Sequence, residues 1–222
     1  MISQGSNRSD AASQNWAGAA AVGVVIYVLV DLALAVLRPG LSLIHNPESD
    51  YGVGPYSWLM DLNFLLRGAL TVCLAVAIVK CWRPSWRVRL GLLLLVGWGV
   101  FSALLAFFPD DPLGTPATES GAIHLLLALV AFFCALVGTI VLSVGMDFVP
   151  QLQQVRSWLL SLSLLAVVPF LALGRVGFRT DSAGGLFERV FLALELAWIL
   201  VAALTLALKS RRGLQREVDS TS

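Results

Sequence analysis

Charge is what this sequence has least of. Asp, Glu, Lys and Arg make up 13% of its 222 residues, and they nearly cancel to a net +1. An ordinary soluble domain is about one-quarter charged, so the chain cannot clothe a water-facing surface of normal composition. The small net charge also leaves no basic field for nucleic acid, which is excluded as a partner. Cysteine is scarce too. Cys73, Cys81 and Cys134 all fall in or beside apolar runs, and an odd number so placed gives neither a disulfide framework nor a zinc spacing. They read as small packing residues. The two histidines, His45 and His124, form no His-x-x-x-His or His-Glu-x-x-His pair. A Gly-rich phosphate loop, a dinucleotide fingerprint, a heptad array and an internal repeat are all missing. No cofactor is expected.

What the chain has instead is apolar length. Hydrophobic residues make up 58% of it, and the mean hydropathy is +0.82. About twenty residues cross roughly 30 Å of hydrocarbon as a helix. The runs Ala17–Leu37, Ser57–Val79, Val88–Phe108, Ala122–Met146, Ser157–Gly174 and Phe187–Leu208 meet or approach that length. The first lacks the strongly basic start and compact cleavage region of a signal peptide, so it reads as a retained span. The fifth is the shortest, and Pro169 should kink it or end it early. The fold class is therefore all-α, a polytopic transmembrane bundle of six helices. Residues 1–15 read as a disordered cytoplasmic tail, 16–209 as the membrane domain and 210–222 as a second cytoplasmic tail. Gly91, Gly97 and Gly99 in the third run, and Ala128, Ala131, Ala135 and Gly138 in the fourth, allow close helix approach. Trp16, Trp58, Trp82, Trp86 and Trp158 suit an interfacial aromatic belt.

Basic residues set the orientation. Arg8, Lys80, Arg83, Arg87, Arg89, Arg156, Lys209, Arg211, Arg212 and Arg216 fall on one face. Arg38, Arg175, Arg179 and Arg189, with Arg67 deeper, fall toward the other. This asymmetry puts both termini in the cytoplasm and predicts a multi-pass protein of the cell membrane. It sends outside the longer, turn-rich connections at 38–56, 109–121 and 175–186, the kind of loop that more often carries function.

Charge inside hydrocarbon costs about 2.5–3.5 kcal/mol per residue on insertion scales and marks a candidate site. Asp31, Asp61, Arg67, His124, Glu188 and Glu195 all count into the outer half of their spans. Asp31, Arg67 and Glu195 come at similar depth, so pairing among them would relieve the cost of each. The expectation is a polar pocket opening outward above an apolar floor, lined by Asp31, Asp50, Tyr51, Asp61, Arg67, Glu188, Arg189 and Glu195. The alternative is an ion-pair network that only fixes helix register. Asp110 and His124 converge where Phe107-Phe108-Pro109-Asp110-Asp111 leads into the fourth run, and they are the catalytic candidates if the protein is an enzyme. His45, His124, Asp50, Asp110 and Asp111 could offer nitrogen and oxygen ligands to a metal, but the ligand spacing is missing and none is assigned. Ser49 and Ser120 read as turn and helix-cap residues.

His45-Asn46-Pro47-Glu48-Ser49-Asp50-Tyr51-Gly52, Phe108-Pro109-Asp110-Asp111 with His124 following, and Gly185-Leu186-Phe187-Glu188-Arg189 carry a family likeness. Over roughly residues 17–208 the chain resembles the six-span prokaryotic membrane family catalogued as domain of unknown function 998. The resemblance implies a six-helix membrane fold and supplies no activity. It carries over Ser49, Asp50, Tyr51, Gly52, Pro109, Asp110, His124, Glu188 and Arg189, and leaves Asp111 as incidental.

The functions left standing are binding or sensing of a lipid or small amphiphile, acid–base chemistry on a lipid or isoprenoid by Asp110 and His124, and transport. Transport ranks last, because the inner half lacks the polar groups a crossing path needs. Membrane lipids are the expected partners. Neither the oligomeric state nor the occurrence of a reaction follows from the sequence.

Overall fold

The computed structural model describes residues 3–81, 84–146 and 149–221. Trp82 and Arg83, with the outermost residues of the two tails, lie outside them. The elements are α1 (Ser3–Leu37), a 3-10 turn (Glu48–Gly52), α2 (Ser57–Cys81), α3 (Trp86–Leu105), α4 (Glu119–Gly145), a second 3-10 turn (Gln153–Val155), α5 (Arg156–Val176) and α6 (Gly184–Thr221). Six helices are long and apolar enough to cross a membrane, so the chain is an all-helical, multi-pass membrane protein. In hydrocarbon only the helix satisfies its own backbone, and that is why apolar length alone locates the spans.

Each helix packs on its neighbour in sequence, and α6 returns to α1, which closes the ring. Lipid is as apolar as leucine, so association rests on close packing at small residues. Gly68 and Gly99 bring α2 and α3 together: a Cβ on Gly99 would run into the Thr71 hydroxyl. Gly91 and Gly138 do the same for α3 and α4, facing Leu142 and Leu94. Trp58, Trp86 and Trp158 project outward near helix ends, as a belt at the headgroups should, while Trp16 is exposed within α1.

Four boundaries differ from the expectation. The stretch read as a disordered tail is helical from Ser3. There Ser13 is buried and donates to the Ala77 carbonyl at 2.8 Å, tying this extension to α2. α6 likewise continues as far as Thr221, through the residues read as a second tail. α5 neither stops nor is cut short at Pro169 but runs on to Val176. A buried proline is tolerated in a membrane helix because its neighbours re-satisfy the freed carbonyl. At the end of α3 the chain tightens instead of continuing to Phe108. The N–H groups of Ala106, Phe107 and Phe108 bond to carbonyls three residues back, and Pro109 then stops the helix.

Candidate functional site

Three connections, 38–56, 106–118 and 177–183, meet over one end of the bundle and form its roof. The Leu186 N–H donates to the Ile44 carbonyl at 3.0 Å. His45 Nδ1 lies 2.6 Å from the Ser182 carbonyl. Arg189 Nη1 donates to the carbonyls of Asn46 (2.7 Å), Leu43 (3.2 Å) and Gly185 (3.2 Å), and its guanidinium stands over the Tyr51 ring. Gly185 has no side chain because the Asn46 carbonyl occupies the place of a Cβ. On the other side, Asn46 Nδ2 donates to Asp50 Oδ2 at 2.6 Å, and the Ser49 hydroxyl donates to Asp110 Oδ2. Burial raises the Asp50 carboxyl above the ordinary aspartate range; the Asn46 amide and the Leu113 N–H oppose this, and the Asp110 charge adds to it.

Asp111, taken as incidental, closes its own loop. Its two oxygens accept from the Thr118 N–H (2.7 Å) and hydroxyl (2.8 Å), and the Thr118 hydroxyl caps α4 at the Gly121 N–H. A Cβ on Gly121 would collide with the Asp111 carboxylate. This turn carries α4 up to His124.

His124 is 3% exposed. Its Nδ1 lies 2.6 Å from the Phe108 carbonyl. A carbonyl cannot donate, so Nδ1 carries the hydrogen, and in the neutral ring Nε2 is a bare acceptor. Nε2 has no hydrogen-bond partner and lies 3.9 Å from Asp110 Oδ2. The Phe64 ring meets the imidazole edge-on.

Below this sits a second polar group. Tyr27 Oη donates to Glu48 Oε1 at 2.6 Å and accepts from Arg67 Nη1 at 3.0 Å. The Glu48 N–H donates to Glu188 Oε2 at 2.7 Å. Arg67, 1% exposed, lies over the rings of Tyr27 and Phe64. Asp31 Oδ1 is buried without a hydrogen-bond partner. Among the described residues no hydrogen bond or ion pair joins Asp31 to Arg67; Arg67 bonds instead to Tyr27, which bonds to Glu48.

Between the two groups lies a cavity of about 370 Å³. Glu48, Ser49, Arg67, Asp110, His124 and Glu188 give it polar walls, while Leu125, Ala128 and Phe132 of α4 make an apolar side. Of the residues expected in a pocket, Arg67 and Glu188 line it, as do the catalytic candidates Asp110 and His124. Asp31, Asp50, Tyr51 and Arg189 stand behind its walls. Asp61, partly exposed on α2, does not reach it. Glu195 lies deeper, past the ring cluster of Phe132, Phe191 and Phe170. It accepts from the Thr139 hydroxyl at 3.4 Å, and among the described residues no hydrogen bond or ion pair joins it to Arg67. The expected apolar floor is therefore thin, and hydroxyls follow beneath it: Ser143 accepts from Trp198 Nε1 at 2.8 Å and meets Ser163 at 3.4 Å.

Sequence reasoning passed over Glu48 as a site residue, because an acid between turn formers reads as solvated. Its signal would have been Tyr27, a buried hydroxyl in need of an acceptor. Ser49, read as a turn residue, is instead a donor to Asp110. Among the described residues no three His, Cys, Asp or Glu side chains converge as for a metal.

No curated protein and no solved structure matches the chain. A family model does, over residues 21–205, described as protein of unknown function (DUF998). That span takes in all six apolar cores and every residue of the site, and the chain belongs to this family of membrane proteins.

Proposed function

We propose that the protein binds or senses a lipid-like amphiphile, whose polar head sits in the cavity under the roof and whose tail lies along α4. The observation that carries this is the two-sided cavity: buried polar groups from four parts of the chain on one side, and on the other an apolar α4 wall whose Leu125 is also exposed on the bundle surface. Its volume is in the range of small-molecule sites, about 300–1,000 Å³. With the basic residues gathered at the opposite face, we assign the roof to the outside of the cell membrane and both termini to the cytoplasm.

Native mass spectrometry on protein released from mild detergent tests the reading. Wild type should retain an intact amphiphile, and Ala128→Trp, which fills the cavity, should lose it while staying monodisperse. Equal retention by both would remove the cavity as the binding site.

One observation favours acid–base chemistry as a second reading. His124 presents a bare Nε2 beside Asp110 and Ser49, with its tautomer fixed by the Phe108 carbonyl. Such a group can take a proton from a substrate hydroxyl or from water. Turnover of added lipid by wild type, abolished in His124→Ala, would move the assignment from binding to catalysis.

A further inference from the structure

We propose that the head bound in this cavity is cationic, an alkylammonium, and that its chain leaves the bundle between α4 and α5; this rests on the amphiphile reading above. The walls are built from acceptors. Glu48, Asp110, Asp111 and Glu188 line the cavity with Arg67 as the single guanidinium. Arg67, enclosed over two aromatic rings, gives one donor to Tyr27 and leaves its Nε buried and unpartnered, one cation against four carboxyl groups. The Ser49 hydroxyl is committed to Asp110, and the Asp111 N–H to Asp110 Oδ1 at 2.8 Å. In the neutral ring His124 Nε2, buried and unpartnered, is a further acceptor lining the same space.

A ligand that satisfies such walls must bring donors and positive charge. Between His124 Nε2 and Asp110 Oδ2 the gap is 3.9 Å. One nitrogen seated beside it meets both atoms at about 2.8 Å, the length of a charge-assisted hydrogen bond. An ammonium has three N–H groups for such acceptors. An alcohol has one donor and no charge. A carboxylate or phosphate would face like charge, which disfavours it.

The chain's route follows from α4. Leu125 lines the cavity and is also 58% exposed on the bundle surface. Ala128, half-buried, and Phe132, buried, continue the apolar wall one and two turns further in. α5 contributes no residue of its helix to the walls, and only Phe178, just beyond its end, lines the cavity from that part of the chain. An alkyl chain can therefore pass from the cavity into the bilayer without crossing a polar surface.

The test uses the full chain in discs of zwitterionic lipid, titrated with dodecylamine, dodecanol, dodecanoate and dodecyl phosphate, against empty discs. Saturable amine binding at least about tenfold tighter than the alcohol is expected, about the worth of one charge-assisted contact, with both anions weaker still. Asp110→Asn should bring the amine-to-alcohol affinity ratio close to one. Amine and alcohol binding alike, or an anion binding best, overturns the cationic head and leaves the amphiphile reading intact. Binding by none of the probes above empty discs overturns both. The wild-type comparison decides without any variant, so a misfolded Asp110→Asn protein would not obscure the result.

Discussion

Asp50 shows what burial does to a single roof residue. Its carboxyl is almost wholly buried, with one oxygen bonded to Asn46 and the other unpartnered. Burial raises it from the ordinary value of 3.8. The folded protein then holds this proton more tightly than the unfolded chain does. The stability it contributes is full below the ordinary value and is lost as pH rises through the raised one. Asp50→Asn removes the titration. Wild-type stability relative to Asp50→Asn, followed by thermal unfolding in detergent, should fall as pH rises above 3.8; a pH-independent difference would show that Asp50 does not titrate in the fold.

Tyr27 gives the second residue-scale expectation. It bridges Arg67 and Glu48, so Tyr27→Phe should destabilise by about 1–3 kcal/mol, the cost of stranding buried partners. In double-mutant cycles Arg67→Gln should couple with Tyr27→Phe. With Glu195→Gln its costs should add to within about 0.5 kcal/mol, because among the described residues no hydrogen bond or ion pair joins them. The sequence could place Arg67 and Glu195 at equal depth, but depth leaves rotation about the helix axis open. Tyr27 escaped notice because a tyrosine within a span reads as apolar, whereas its hydroxyl is what joins α1 to α2.

At the scale of elements, apolar length was enough to locate all six helices, since a span needs that length whatever surrounds it. Their ends were less legible. The helical extension before Ala11 is polar, and Ser13 is fixed to Ala77 by a contact across helices that no local pattern announces. Pro169 was read by its local cost, but the surrounding bundle decides. The glycines were better guides. Gly99 sits where a Cβ would strike the Thr71 hydroxyl and crowd the Gly68 carbonyl. Gly99→Ala should therefore destabilise by about 1–3 kcal/mol, as overpacking does. Thr71→Ala should restore part of this by removing the hydroxyl, and chemical denaturation of the single and double variants measures it. Ala128, read as a packing residue of the same kind, packs against the Leu34–Tyr51–Phe64 cluster and also borders the cavity.

For the whole molecule the open question is which way it sits. Cysteine at Ala117 in the roof should react with an impermeant thiol reagent in intact cells. Cysteine at Gln154, at the opposite end, should react only after permeabilisation. Both are made in a background lacking Cys73, Cys81 and Cys134, and the reverse pattern would turn the protein over. The roof itself could not have been read along the chain. It is made by residues such as Asn46, Asp110 and Ser182, which the sequence keeps far apart and only the closed ring brings together.

That separation bears on how the protein is made. The carbonyls of Leu43, Ile44 and Asn46 find their donors only in Leu186 and Arg189, and His45 meets its partner at Ser182. A ribosome has threaded four helices into the membrane, and begun a fifth, before any of these partners exists. Until then these carbonyls of the first loop lack those partners, and the cavity has no ceiling. The last helix to be inserted therefore finishes the first loop to be translated. A nascent chain arrested before α6 presents open carbonyls and an exposed acid, features by which quality-control proteases can distinguish an unfinished copy from a complete one.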